Sequence, residues 1–154
     1  MKKIYYIIIF LILNFGGLAL GNLFMGDAVT GDWYSNLNKA PWTPPGWVFG
    51  FAWTLIMICY SWYLAELFIE RNTLTLWLVF IFSWGLNVCW NWFFFNQEMV
   101  TAGLVVLIVL IMTIFYLFIT FRHDRLKMAK YLLLPYLIWL CIANSLNGYI
   151  LFNN

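Results

Sequence analysis

Five long apolar stretches, separated by shorter polar segments, dominate the pattern along the chain. They cover residues 4–24, 47–68, 74–95, 100–121 and 131–152. A helix needs roughly 20 apolar residues to cross the hydrocarbon core of a bilayer, and each stretch has that length. The pattern therefore predicts an all-α integral membrane protein, a bundle of five transmembrane helices forming a single domain over residues 1–154.

The first stretch has a second interpretation. Lys2 and Lys3 precede it, as in a secretory signal peptide, and Ala19-Leu20-Gly21 resembles a cleavage site. Because the apolar stretch continues past that point to full membrane length, a retained helix is favoured.

The segment between the first two stretches breaks the apolar pattern. Residues 25–46 contain Gly, Asp, Asn and three of the four prolines, together with Trp33, Tyr34 and Trp42. The segment is too polar to cross a membrane, and long loops in compact proteins are often functional. It is predicted to be a Trp/Pro-rich lid over the bundle. The fourth proline, Pro135, is predicted to loosen the first turn of the last helix.

Composition supports the membrane prediction and excludes other classes. The chain is 65% hydrophobic and 9% charged, with a mean hydropathy of +0.87, which is more apolar side chain than a soluble domain of this size can bury. A net charge of +2 is too small to indicate a nucleic-acid partner. Cys59, Cys89 and Cys141 lie inside apolar stretches without metal-ligand spacing, so no metal site is expected.

The distribution of basic residues predicts the orientation. Seven of the eight Lys and Arg residues fall at the amino terminus and in the second and fourth loops, namely Lys2, Lys3, Arg71, Arg122, Arg125, Lys127 and Lys130. Only Lys39 lies on the other side. Cytoplasmic loops carry the excess of Lys and Arg, so the amino terminus should be cytoplasmic. The first loop and the carboxyl terminus should then face outward. The basic loop of residues 122–130 should be attracted to anionic lipid of the bilayer, and His123 within it is interpreted as solvated and not as a haem ligand.

The spans carry amides but no deeply placed ionisable group, which argues against an ion-coupled carrier. Asn14 and Asn144 are interpreted as ties between helices, since a buried amide in lipid needs a partner. For Asn87, a tie and a pocket wall are both open. Gly17 and Gly21 form a GxxxG, which serves close packing either within the bundle or across a dimer.

Aromatic residues make up 22% of the chain, more than interfacial belts explain. Trp53 shares a helix face with Met57 and Tyr60 in the second span. Trp139 shares one with Ala143 and Leu146 in the fifth, where Ala143 leaves a gap. Such faces serve either packing or an apolar pocket for a flat ligand, and the residues alone leave both open.

Three segments carry a family resemblance. WYSNLNKAPWTPPGWVFGFAW (residues 33–53), GLNVCWNWFFF (residues 85–95) and LLPYLIWLCIANSLNGYILFNN (residues 133–154) resemble the motifs of the tryptophan-rich sensory protein / translocator protein (TspO/MBR) family. The resemblance covers nearly the whole chain and includes the five-span layout.

The resemblance implies a five-helix bundle, often a homodimer, with a pocket under the first loop. Family members bind tetrapyrroles such as protoporphyrin IX, and many bind synthetic benzodiazepine-type ligands. No other cofactor is implied. Carried over by motif, the ligand-binding residues would be Tyr34, Trp47, Phe49, Trp53, Asn87, Trp90, Trp139 and Ala143.

By analogy with bacterial members credited with light-dependent porphyrin breakdown, Trp53 and Trp139 are the candidate catalytic residues. An indole stacked on an excited porphyrin can donate an electron to it without a metal. The expected function is tetrapyrrole binding with photo-oxidative degradation. The alternatives are a passive porphyrin transporter and a non-catalytic porphyrin or stress sensor.

Two departures from the family pattern change what it implies. The usual Lys-Pro step is Lys39-Ala40 here, with proline at Pro41, so the lid is expected to bend differently. The sterol motif of mammalian members needs a basic residue after a tyrosine, whereas Tyr149 is followed by ILFNN. This argues against sterol binding.

Overall fold

The structure, a computed structural model, describes residues 2–121 and 126–154. Its helices are α1 (Lys2–Met25), α2 (Asp32–Asn36), α3 (Gly46–Glu70), α4 (Leu74–Asn91), α5 (Val100–Thr120), α6 (Leu126–Ala129) and α7 (Leu134–Asn153). Two 3-10 turns (Ala28–Thr30 and Lys130–Leu133) and one π-helical turn (Trp92–Asn96) accompany them. No β-strand occurs within these ranges. Arg122, His123 and Arg125 of the predicted basic loop lie outside the described residues.

Five helical segments in the described part of the chain are long and apolar enough to cross a membrane. They are Lys2–Met25, Gly46–Glu70, Leu74–Asn96, Val100–Thr120 and Leu126–Asn153. The predicted five-helix fold is confirmed. The fifth segment begins earlier than predicted, because α6 and a 3-10 turn precede α7. Pro135 is the second residue of α7, where a missing N–H breaks no intrahelical hydrogen bond.

Aromatic packing closes the end of the bundle opposite the long loop. The ring of Phe10 in α1, which is fully buried, lies 5.0 Å from that of Phe68 in α3 and 5.1 Å from that of Phe80 in α4. Phe68 also meets Trp77 at 4.7 Å. Aromatic pairs at these separations add to the free energy gained from burial. Among the described residues, this end of the bundle is therefore filled by side chains.

Hydrogen bonds between helices satisfy polar groups within the spans. The amide of Asn14 donates to Ser61 Oγ at 2.9 Å and so ties α1 to α3, as predicted. The amide of Asn144 instead donates to the carbonyl of Leu140 in its own helix at 2.8 Å. The tie between helices predicted for Asn144 is therefore wrong, because the carbonyl one turn back provides a nearer acceptor.

The GxxxG of α1 faces α4 within the bundle. A Cβ at Gly17 would clash with the indole of Trp84, and a Cβ at Gly21 would lie 2.6 Å from Nδ2 of Asn91. The Trp84 indole N–H also donates to the carbonyl of Leu13 at 2.8 Å. Of the two roles left open for this motif, the structure shows packing inside one chain.

We expect Gly17→Ala to lower the free energy of unfolding by about 1–3 kcal/mol relative to Gly16→Ala, as overpacking a filled contact does. Gly16 is the matched control, since a Cβ there meets nothing within 4 Å. Both substitutions gain the same helix propensity, so the difference isolates the clash with Trp84. Unfolding in detergent measures it, and equal stabilities would contradict the packing described here.

Candidate ligand-binding site

A cavity of about 640 Å³ lies between four of the five spans, under the loop that joins α1 to α3. This volume falls in the range of small-molecule pockets, about 300–1,000 Å³. Its lining comes from α1 (Gly17, Leu18, Asn22, Met25), the loop (Val29, Tyr34, Lys39, Thr43, Pro44), α3 (Gly46, Phe49, Gly50, Trp53, Thr54), α4 with the π-turn (Asn87, Trp90, Asn91, Phe94, Phe95) and α7 (Ala143, Leu146, Asn147, Ile150).

Helical spacing explains which residues face the cavity. Positions three and four apart share a helix face, and the lining residues of α3, α4 and α7 follow that spacing. In α7, Ala143 is followed by Leu146, Asn147 and Ile150. The small residues on this surface leave the volume that larger side chains would fill. Gly50 of α3 is the clearest case, since a Cβ there meets nothing within 4 Å.

Aromatic rings form much of the wall. The ring of Trp90 stacks on that of Phe94, with centroids 5.4 Å apart and planes 17° apart. Phe49 meets Trp139 edge-on at 5.1 Å, and Trp53 meets Tyr136 in the same manner at 6.1 Å. The contacts fix the orientation of the four rings that line the cavity, those of Phe49, Trp53, Trp90 and Phe94. The arrangement suits a flat, largely apolar ligand.

The loop of residues 26–45, called the lid below, rests on the π-turn through its short helix. The ring of Trp33 lies 5.7 Å from that of Phe94, and the ring of Tyr34 lies 5.3 Å from that of Phe95. A π-turn adds a residue to a helical turn and is frequent at functional sites. Here it includes both phenylalanines that the lid contacts.

The second half of the lid is fastened to α7. The indole of Trp42 donates to Ser145 Oγ at 3.2 Å, and its ring meets Tyr149 edge-on at 5.4 Å. The backbone N–H of Asn38 donates to Oδ1 of Asn154 at 2.8 Å, and Nδ2 of Asn154 donates back to the Asn38 carbonyl at 3.3 Å. The lid is thus held at both ends, and the predicted cover over the bundle is observed.

Lys39 is the only basic residue among the described residues that line the cavity. Its ammonium lies 4.1 Å from the ring centroid of Tyr34, close enough for a cation–π interaction. Burial raises the pKa of the Tyr34 phenol above its ordinary value, so this side chain stays neutral at physiological pH. The lid therefore presents one positive charge to the cavity.

The structure brings six of the eight predicted ligand-binding residues together on the cavity lining. They are Tyr34, Phe49, Trp53, Asn87, Trp90 and Ala143. Trp47 is 72% exposed on the outside of α3 and does not line the cavity. Trp139 is buried behind Phe49, one ring away from the cavity. Of the two candidate catalytic residues, only Trp53 lines it.

Sequence reasoning did not assign Asn91, Asn147 or Lys39 to the site. Asn147 shares the helix face of Ala143, one turn away, so helical spacing could have found it. From the sequence, Lys39 was used only for the orientation and for the altered Lys-Pro step. Nothing in the sequence shows that the lid folds inward at this residue.

The comparisons with known proteins agree with this architecture. The model of the TspO/MBR family matches residues 8–152. The chain belongs to the TspO/MBR family. It is therefore an integral, multi-pass membrane protein.

Several curated relatives resemble this TspO/MBR chain over most of its length. Tryptophan-rich protein TspO of Archaeoglobus fulgidus is 37% identical over 133 residues, which cover 82% of each chain. The protein of the same name from Chlorobaculum tepidum is 34% identical over 143 residues, covering 88% of this chain and 90% of the relative. Tryptophan-rich sensory protein of Cereibacter sphaeroides is 33% identical over 120 residues, covering 75% and 73%.

We expect Trp42→Ala to loosen the lid, because it removes both the hydrogen bond to Ser145 and the ring contact with Tyr149. Amide hydrogen exchange over residues 37–45 should accelerate about tenfold, as expected for a loss of roughly 1.4 kcal/mol of local stability. Trp47→Ala is the control, since Trp47 is an exposed tryptophan at the same end of the bundle. Equal exchange in both variants would mean that Trp42 does not fasten the lid.

Proposed function

We propose that this cavity binds a tetrapyrrole, with protoporphyrin IX as the representative ligand, and promotes its light-dependent oxidative degradation. The observation that carries the proposal is an aromatic-walled cavity whose lid presents one cation, Lys39. Protoporphyrin IX is a flat apolar ring with two carboxylates on one edge. The ring matches the walls, and the carboxylates match the ammonium.

Trp53 is the proposed electron donor because its indole lies on the cavity lining. The excited porphyrin accepts one electron from this indole, and dioxygen then removes that electron from the reduced porphyrin as superoxide. The indole radical cation next takes an electron from the porphyrin and is restored. The resulting porphyrin radical cation combines with superoxide, so the net change adds dioxygen to the ring. Trp139, behind Phe49, is a second donor that acts across that ring.

If a porphyrin carboxylate contacts Lys39, the protein should prefer protoporphyrin IX, the free acid, over its uncharged ester. Wild-type protein should bind protoporphyrin IX about fivefold more tightly than its dimethyl ester, as expected for a partly exposed charge pair worth about 1 kcal/mol. In Lys39→Gln this preference should disappear, while affinity for the ester stays unchanged. Titration in detergent, followed by absorbance, measures both dissociation constants.

Lys127→Gln is the matched control, since Lys127 is exposed and does not line the cavity. It should keep the wild-type preference. Equal affinity of the wild-type protein for acid and ester would contradict the Lys39 contact. Absence of saturable porphyrin binding would overturn the proposed function itself.

The photochemical step predicts an order of effects among tryptophan variants. Trp53→Phe should slow the bleaching of bound protoporphyrin IX several-fold, because phenylalanine keeps the ring contact but is a much poorer electron donor. Trp139→Phe should slow it less, and Trp47→Phe, which alters an exposed ring, should not slow it. Illumination of each saturated complex, with absorbance spectra recorded over time, measures these rates.

Equal bleaching in all these proteins would remove the degradation step and leave two alternatives. A passive carrier would move intact porphyrin across liposomes. A sensor, the role named in the relative from Cereibacter sphaeroides, would instead change its lid or its contacts with another protein on binding.

A further inference from the structure

The exposed part of the cavity lining lies on one side of the bundle. Of the described residues that line the cavity, five are exposed, namely Asn22 of α1, Val29 of the lid, and Gly46, Gly50 and Thr54 of α3. The lining residues of α4, the π-turn and α7 are all buried or half-buried. Residues deep in a cavity are covered by neighbours, whereas residues at its mouth are open to the surroundings. The mouth of the cavity is therefore on the side of α1 and α3.

Helical spacing shows that this mouth is a gap between two helices that pack together further from the lid. Asn14 of α1 donates to Ser61 of α3 at 2.9 Å. Thr54 lies seven residues, or about two turns, from Ser61 and so on the same face of α3. Leu18 lies one turn from Asn14 on nearly the same face of α1, and both Leu18 and Thr54 line the cavity. The facing surfaces of α1 and α3 thus meet at Asn14 and Ser61 and border the cavity from there to the lid.

Two pairs of glycines with the same spacing show the difference between a packed helix face and an open one. A Cβ at Gly17 or Gly21 of α1 would clash with a side chain of α4, whereas a Cβ at Gly46 or Gly50 of α3 meets nothing within 4 Å. Thr54 continues the open face by one more turn. From Gly46 to Thr54 the open face extends about 12 Å along the helix axis.

The gap between α1 and α3, called the window below, is continuous with the outer surface of the bundle. Asn22 and Thr54 border it on its two sides. Each is followed by a side chain on the outer surface, Leu23 with 76% and Leu55 with 40% of its area exposed. All four residues belong to segments that are apolar and long enough to cross a membrane. The window therefore faces lipid, in the half of the bilayer next to the lid.

The lid is fastened on the side of the cavity away from the window. Its ring contacts through Trp33 and Tyr34 reach the π-turn, and its hydrogen bonds through Asn38 and Trp42 reach α7 or the residue that follows it. These contacts hold the lid over the end of the cavity that faces water. The window lies along the sides of α1 and α3, below the lid.

We infer that the ligand enters the cavity from the bilayer, through the window between α1 and α3, and not from water past the lid. This route rests on the proposed function and specifies its substrate class, a flat amphiphile dissolved in lipid. Such a molecule keeps its ring among the acyl chains and its carboxylates at the headgroup level, because burial of an unpaired charge in hydrocarbon is costly. Sideways movement in this orientation brings the ring between the aromatic walls and the carboxylates to Lys39 of the lid.

A bulky side chain at the border of the window tests this route. A substitution in a binding wall mainly changes the dissociation rate, whereas an obstacle in the entry route slows entry and exit alike. Asn22→Trp should lower the association and dissociation rates of protoporphyrin IX by the same factor, about tenfold, and change Kd by less than about twofold. Leu23→Trp is the matched control, since Leu23 is the next residue on the outer surface, and it should keep both rates.

Thr54→Trp and Leu55→Trp repeat the comparison on the other border of the window and carry the test if Asn22→Trp does not fold. Protein in lipid nanodiscs is mixed with vesicles that contain protoporphyrin IX, and porphyrin absorbance is followed over time. An excess of porphyrin-free vesicles then starts dissociation. Trp42→Ala, which loosens the lid, separates the two routes. Its association rate should stay within about twofold of wild type, because the ligand does not pass the lid.

Wild-type rates in both Asn22→Trp and Thr54→Trp would overturn entry through the window. So would a change in the dissociation rate alone, which would make these residues part of the binding wall, or faster association in Trp42→Ala, which would indicate entry past the lid. These failures differ from failure of the proposed function. If wild-type protein binds protoporphyrin IX and only the rates disagree, the route is wrong and the porphyrin site stands. If protoporphyrin IX does not bind, the proposed function and the route fail together.

Discussion

The close approach of α1 to α4 at Gly17 and Gly21 is the contact on which the site depends. Without side chains at these positions, α1 lies directly against Trp84 and Asn91. The Trp84 indole reaches the Leu13 carbonyl across the same contact. This pairing places Asn87, Trp90 and Asn91 of α4 opposite Gly17, Leu18 and Asn22 of α1 on the cavity lining.

The bilayer explains where the polar side chains and the aromatic packing lie within the bundle. Water does not satisfy polar groups in the hydrocarbon core, so an amide there bonds a helix or lines a cavity. Asn14 meets the first condition through Ser61. Asn147 lies on the cavity lining, although its amide atoms are buried without a partner among the described residues. The aromatic packing around Phe10 fills one end of the bundle, and the open end is closed by a lid fastened through Trp42 and Asn38. The packed end of the bundle around Phe10 therefore stabilises the fold, and the end under the lid contains the cavity.

Sequence predicted the helices because membrane length and hydropathy leave few alternatives. Six of the eight ligand-binding residues carried over from the family motifs lie on the cavity lining, among them Trp53, Asn87 and Ala143. Trp47 and Trp139, also carried over by motif, do not line the cavity, because Trp47 faces outward and Trp139 is buried. Trp139 does turn toward the core, but Phe49 stands between it and the cavity. The inward position of Lys39 depends on the path of the lid, which no local pattern encodes.

The central claim is that the tetrapyrrole occupies the cavity under the lid. The most direct test fills that cavity with a larger side chain, at a position where the first added carbon meets no other atom. Gly50 lines the cavity and a Cβ there meets nothing within 4 Å, whereas Gly85 has equal space but does not line it. Protoporphyrin IX titration of Gly50→Leu and Gly85→Leu compares the two positions. We expect Gly50→Leu to abolish saturable binding and Gly85→Leu to bind like wild type. Wild-type affinity in both variants would place the ligand elsewhere and contradict this account.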